Sequence, residues 1–187
     1  KPNLIGEQVF NHFSLEEIRP YIDWTPFFQT WELAGRFPKI LEDKIVGEEA
    51  KKLYADANNM LDKIISENWL QAKAIIGIWP ANSFNDDDIE ATVDGERVHF
   101  HHLRQQTAKA KDLPNFSLAD FIAPKETGKQ DYLGGFVVTA GIGIEEHIKR
   151  FEEDHDDYNS IMVKAVADRL AEAFAEYLHL KVRKEYW

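Results

Sequence analysis

Lys164, Asp168, Glu172 and Glu176 recur at four-residue spacing, which on a helix stacks them along one face. Such a row can seat a cationic ligand or a docking partner. It is equally what a solvated helix surface looks like, and periodicity does not choose between the two. Asp23 has the same two-sidedness. It stands just before a helix start marked by Thr25-Pro26, where the positive end of the helix dipole favours a carboxylate. Its neighbours Tyr21, Trp24, Phe27 and Phe28 would serve as well to wall a pocket for an aromatic ligand.

Two other groupings invite a chemical reading. His99, His101 and His102 lie close in sequence, and residues 99 and 101 share one face of a strand, so a metal cluster completed by Asp156 or Asp157 is conceivable. The alternative is a strand end and a helix N-terminus with Asp157 as cap, and no helical histidine pair supports the metal. Gly141-Ile142-Gly143 resembles part of a nucleotide-binding glycine loop. Without a third glycine or a parallel sheet, it reads better as a strand-to-helix turn that needs positive φ.

These residues must be held by helices and a sheet. Ser14-Leu15-Glu16-Glu17 is a capping box whose short helix ends at Pro20, and Phe27 to Leu33 follows as a second helix closing at Gly35. Pro38 opens a turn through Ile40 and Leu41. From Gly47 to Asn68, apolar residues at three- and four-residue spacing make an amphipathic helix. Lys73 to Trp79 predicts a buried strand stopped by Pro80. Ile89 to Val93 and Arg97 to His101 predict a hairpin about Asp94-Gly95, and Tyr132 to Thr139 a further strand. The stretch Leu113 to Lys129 is mixed, with an apolar patch at Leu118, Phe121 and Ile122. Glu145 to Glu153 and a long segment from Asp157 predict helices, the second with Met162, Val166, Leu170, Ala173, Phe174, Tyr177 and Leu178 as its buried stripe. Helices with an antiparallel sheet and no βαβ alternation make an α+β class, and residues 1–187 read as a single domain.

Composition narrows the function. Hydrophobic residues are 44% and charged residues 29% of the chain, enough for a packed core. No apolar run approaches the ~18 residues that cross a bilayer, and Lys1 to Leu4 is too short an apolar lead for a signal peptide. The absence of cysteine removes disulfides, thiol nucleophiles and thiolate metal sites, and suits a reducing cytoplasm. A net charge of −11 disfavours nucleic acid and suits a cationic ligand or a basic protein face.

Longer stretches are more specific. Tyr21-Ile22-Asp23-Trp24-Thr25-Pro26-Phe27-Phe28, then Trp31, Leu33-Ala34-Gly35 and Pro38-Lys39-Ile40-Leu41, are followed in order by Trp79-Pro80-Ala81-Asn82 and His101-His102-Leu103-Arg104-Gln105-Gln106. Then come Leu118-Ala119-Asp120-Phe121-Ile122-Ala123-Pro124-Lys125 and His155-Asp156-Asp157-Tyr158-Asn159, leading into Ala167-Asp168-Arg169-Leu170-Ala171-Glu172-Ala173. Through nearly its whole length the chain resembles the activation domain of cobalamin-dependent methionine synthase.

The resemblance implies a bent antiparallel sheet flanked by helices, with a long C-terminal helix. It implies a shallow groove for S-adenosylmethionine and docking on a cobalamin-binding domain. There cob(II)alamin is reductively remethylated with an electron from a reduced, flavodoxin-like flavoprotein. It also implies zinc on a distant domain of the parent enzyme, which is a homocysteine methyltransferase of methionine biosynthesis. Asp23 and Glu172 match carboxylates at the S-adenosylmethionine site, while Glu146 and Asp168 match positions facing the cobalamin domain. A cationic ligand suits this assignment, since a charge-assisted hydrogen bond contributes about 1.5–3 kcal/mol. The family's C-terminal motif, in which arginine grips the ligand carboxylate beside glycine and proline, is expected beyond Trp187. On that reading the chain is a piece of the domain or a shortened relative, and alone it would be inactive. The alternative function is a shortened docking module for a corrinoid protein that does not hold S-adenosylmethionine tightly.

Overall fold

The computed structural model describes residues 1–187, which gather into two compact units. Unit 1 comprises Lys1–Gln8, Ile75–Phe136 and Val182–Trp187; unit 2 comprises Val9–Ala74 and Val137–Lys181. The strands are β1 (Gly6–Phe13), β2 (Gln71–Phe84), β3 (Asp88–Val93), β4 (Glu96–His101) and β5 (Asp131–Ile142). They form one antiparallel sheet in the order β1-β2-β3-β4, with β5 also pairing with β2. With the helices below, this is the expected α+β class.

Unit 2 is built on α3 (Gly47–Ser66) and α5 (Asp157–Lys181), joined by α1 (Leu15–Ile18), α2 (Thr25–Thr30) and α4 (Ile144–Glu153). The stripe predicted for α5 is its buried face: Met162, Val166, Leu170, Phe174 and Leu178 are all fully buried. On α3, Ala50, Leu53, Ala57, Met60, Leu61 and Ile64 do the same. Phe27, Phe28 and Ile40 complete this core.

Three local details depart from the sequence reading. Ser14 does cap α1 by accepting from Glu17 N–H at 3.4 Å, but the Glu17 carboxylate accepts from the Tyr177 hydroxyl at 2.9 Å. Helix α2 begins at Thr25 and ends at Thr30; Leu33 N–H reaches back to Phe28 O at 3.0 Å, and Glu32 takes the left-handed conformation expected of Gly35. The N-terminal hydrogen bonds of α5 go to Asp156, which accepts from Asn159 N–H at 3.0 Å, so the cap lies one residue before Asp157.

In unit 1, β3 and β4 pair from Asp88↔His101 to Val93↔Glu96. The turn between them has positive φ at Asp94 (51°) and Gly95 (85°), the geometry that gives Asp-Gly its hairpin preference. A similar turn at Asn85 (50°) and Asp86 (64°) joins β2 to β3. Strand β2 runs through Pro80. Its ladder with β3 starts at Ala81, so the N–H that proline lacks falls outside that ladder. Strand β1 was not expected at all: its burial alternates only partly and Val9 is exposed, so no clean period of two marks it. The small core of unit 1 is Ala81, Ile89, Ala91 and Ala119, against which Val93, Phe100, Ile122 and Leu133 pack. Of the patch expected between Leu113 and Lys129, Ile122 therefore joins the core, whereas Leu118 and Phe121 face outward.

Between β4 and β5 the chain has little regular structure, and Arg104 holds it. The guanidinium donates to both carboxylate oxygens of Asp120 at 2.7 and 2.8 Å and to Asn115 O at 2.8 Å. Its Nη2 also lies 2.6 Å from Asp87 Oδ1. Asp120 accepts from Ser117 N–H as well, at 2.9 Å. These bonds, that from Arg104 first, hold the Asp120 carboxyl down at about 2.

Candidate functional site

The carboxylates singled out in the sequence, Asp23, Glu146, Asp168 and Glu172, all belong to unit 2. Helix α5 organises them. Every fourth residue from Lys164 through Asp168 and Glu172 to Glu176 is exposed, opposite the apolar stripe, so the expected row exists as a surface. It is not a bare row of acids. Arg169, buried beneath it, sends Nη2 to Asp168 Oδ2 at 2.6 Å and Nη1 to Glu172 Oε2 at 2.5 Å. Burial works against the Arg169 charge, yet the bonds to Asp168 and Glu172 outweigh it and raise its pKa above the ordinary value. Sequence reasoning passed over Arg169. The signal was its spacing, one residue after one acid and three before the other.

The segment carrying Asp23 packs on the same helix. Tyr21 lies against Tyr177 with ring centroids 4.8 Å apart and planes tilted by 37°, and Phe13 lies 4.7 Å from Phe174. The residues before α2 and α2 itself both touch α5. Asp23 is exposed, and its Oδ1 accepts from Thr25 N–H at 2.9 Å; this turn fixes the carboxylate at the mouth of α2. Its aromatic neighbours do not wall a pocket. Phe27 and Phe28 are fully buried, and Trp24 sits edge-on to Phe27 and Tyr54 in the core. They anchor the segment that presents Asp23, and Tyr21 alone among them remains half-exposed.

Glu146 is exposed in the first turn of α4, which packs on α5. The next residue, His147, stacks on Trp69 with centroids 4.2 Å apart and planes 13° off parallel. Arg150 lies over the same indole at 4.8 Å, so one face of α4 is clamped and Glu146 is held outward. Gly143 makes this entry possible. It has φ of 100°, and a Cβ there would stand 2.8 Å from Trp69 O, the turn reading expected for it. Structure brings Asp168 and Glu172 into one bonded cluster with Arg169, and places Asp23 and Glu146 on elements packed against that helix.

The histidines of unit 1 have other partners. His99 Nε2 lies 3.3 Å from Glu90 Oε2 and His101 Nδ1 lies 2.7 Å from Asp88 Oδ1, each opposite its acid in the β3–β4 register. Glu90 also receives Lys125 Nζ at 2.7 Å, and these bonds, Lys125 first and then His99, lower its pKa. Cross-strand pairs of this kind join neighbouring strands. The hairpin is therefore laced by polar cross-strand pairs.

The family described as vitamin B12 dependent methionine synthase, activation domain, matches residues 14–187. Among solved structures, a chain described as the MetH reactivation domain bound to AdoHcy is similar at a TM-score of 0.92 and 54% sequence identity. The match covers 100% of this chain and 57% of that one, so this chain spans little more than half the length of its relative.

Proposed function

Since the chain belongs to the family of vitamin B12-dependent methionine synthase activation domains, we propose that it serves as the reactivation module of such an enzyme, binding S-adenosylmethionine for the reductive remethylation of cob(II)alamin. The observation that carries this is the 54% identical relative with AdoHcy bound, which is S-adenosylmethionine after its methyl has left.

The residues present suit that ligand. S-adenosylmethionine carries an ammonium and a sulfonium, and α5 offers Glu172 while the mouth of α2 offers Asp23, both exposed. In this reading Asp23, with one oxygen engaged by Thr25 N–H, directs the other at the ammonium. Glu172 is held from beneath by Arg169 and receives the same group from the α5 side. The acids together set up a field that favours the cationic methyl donor over its neutral-sulfur product. Glu146 and Asp168 face a cobalamin-binding domain, whose cobalamin supplies the nucleophilic centre that accepts the methyl. A reduced flavoprotein supplies the electron, and zinc belongs to a distant domain of the parent methyltransferase. The setting is cytoplasmic; no helix here is long and apolar enough to cross a membrane.

Calorimetry with S-adenosylhomocysteine tests the reading in the polypeptide that carries this sequence. Asp23→Asn should weaken binding by roughly 10- to 100-fold, the loss of one charge-assisted hydrogen bond of ~1.5–3 kcal/mol. Equal affinity of the variant and the parent would place the ligand elsewhere.

A further inference from the structure

In the proposed function Arg169 only supports Glu172, yet it holds Asp168 as well. Its side chain is 8% exposed, whereas those of Asp168 and Glu172 are 70% and 63% exposed. A guanidinium stays charged at any ordinary pH and here has little access to water. Its two terminal nitrogens go to two different carboxylates, Nη2 to Asp168 and Nη1 to Glu172. The backbone of α5 fixes both acids in place, so neither can leave the vicinity of the fork. The charge is therefore divided, and the division depends on what else each carboxylate touches.

We propose that Arg169 is a positioning residue that shares one buried positive charge between Glu172 and Asp168, so that whatever engages one carboxylate hands the guanidinium to the other. This rests on the reading of Glu172 as a ligand contact and Asp168 as a docking contact. A ligand ammonium drawn to Glu172 pushes the fork toward Asp168 and lowers the charge Asp168 shows to a basic docking face. A basic face on Asp168 pushes the fork toward Glu172 and loosens its hold on the ammonium. Binding linkage makes the two effects equal. Docking and the grip on the ligand's amino-acid end thus oppose each other, which favours release of the spent ligand from the docked state.

The test is a cycle of variants in the polypeptide that carries this sequence, titrated calorimetrically with S-adenosylhomocysteine. Asp168→Asn should weaken binding by roughly five- to tenfold, because the whole fork then neutralises Glu172; this is within the usual range of coupling between sites. In an Arg169→Met background the same Asp168→Asn change should matter less than about twofold. Simple Coulomb attraction from Asp168 predicts the reverse, since without Arg169 its charge is no longer compensated. An Asp168→Asn effect of equal or greater size in the Met background overturns the proposal. Glu172→Gln separates this from failure of the functional reading: if that variant binds as tightly as the parent, Glu172 is not a ligand contact, and both fall. Arg169→Met leaves two exposed, hydrated acids and should fold, as a circular dichroism melt would report. If it does not, Arg169→Lys serves as the background. Its compact ammonium lacks the planar fork, so the Asp168→Asn effect should shrink there too, and an undiminished effect sinks the idea.

Discussion

Unit 1 and unit 2 each set an arginine between two carboxylates, but the partners come from different distances along the chain. Arg104 takes Asp87 from before β3 and Asp120 from well after β4, and adds the Asn115 carbonyl. Arg169 takes its immediate neighbour Asp168 and Glu172 one turn on. The first arrangement closes a stretch of backbone whose regular structure is one short 3-10 turn at Leu118–Phe121, so its bonds offset loop entropy. The second closes nothing, because α5 is already ordered by its apolar stripe. What it can do is aim side chains. The same triad of charges is thus a tertiary fastener in one unit and a local adjuster in the other.

The contrast is sharpest where the two units keep their apolar residues. Phe174 of α5 is fully buried, while Phe121 of unit 1 is 71% exposed. Phe174→Ala should cost about 3–5 kcal/mol through lost burial and a residual cavity, measured by denaturant unfolding. Gly35→Ala comes next. A Cβ there would meet Ile40 Cγ1 at 2.8 Å, and Ile40 is buried and cannot yield, so we expect a loss of about 1–3 kcal/mol in the same assay.

Arg104→Gln breaks the comparison in the other direction. Amide exchange around Asn115 to Asp120 should rise by about an order of magnitude, with the helices of unit 2 unaffected. Acid should mimic it in the parent protein. The folded Asp120 carboxyl lies at about 2, below its ordinary 3.8, so its contribution is complete above the unfolded value and lost as pH falls through the folded one. Protection in this segment should therefore be full above about pH 4, decline between pH 4 and pH 2, and be lost below that. A loop that opens already at about pH 5 would show that the Arg104–Asp120 pair is not its fastener. Smaller again is Ser14→Ala, which removes a long capping bond and should cost about 0.5–1 kcal/mol. Phe121→Ala should change stability by less than about 0.5 kcal/mol, and a larger loss would mean that the outward ring supports the fold.

The two units also differed in how readily they could be read. Helices α3 and α5 declare themselves by a repeat that survives in any order of observation: Leu53, Ala57, Leu61 and Ile64, or Met162, Val166, Leu170 and Phe174, are both spaced and buried. Asp94-Gly95 announced its turn because few residue pairs accept positive φ twice. Phe27 and Phe28 were harder. Aromatic residues beside a candidate carboxylate suit a pocket and a core equally, and only their packing on Trp24, each other and Phe37 decides for the core. Arg169 was hidden for a different reason. A helix surface position and a half-sunk one differ by a fraction of a turn, and a long side chain can reach either way. Residue type and spacing put both acids on α5 with Arg169 within reach of each, but the side to which its long chain turns depends on a rotamer, which no periodicity encodes.

Two stretches far apart in sequence meet within unit 1: Asn3 and Leu4 donate their N–H groups to Tyr186 O at 2.8 and 3.1 Å. This has a consequence for the order of synthesis. The residues of unit 2 are all made once Lys181 is added, whereas unit 1, which includes Lys1–Gln8, waits for Val182–Trp187. At ribosomal rates of ~5–20 residues per second, Asn3 is without its partner for roughly ten to forty seconds. Strand β1 can meanwhile pair with β2, complete by Phe84, so only Asn3 and Leu4 wait for Tyr186, and Glu7, Gln8, Asn11 and His12 give β1 the polar character of an edge strand.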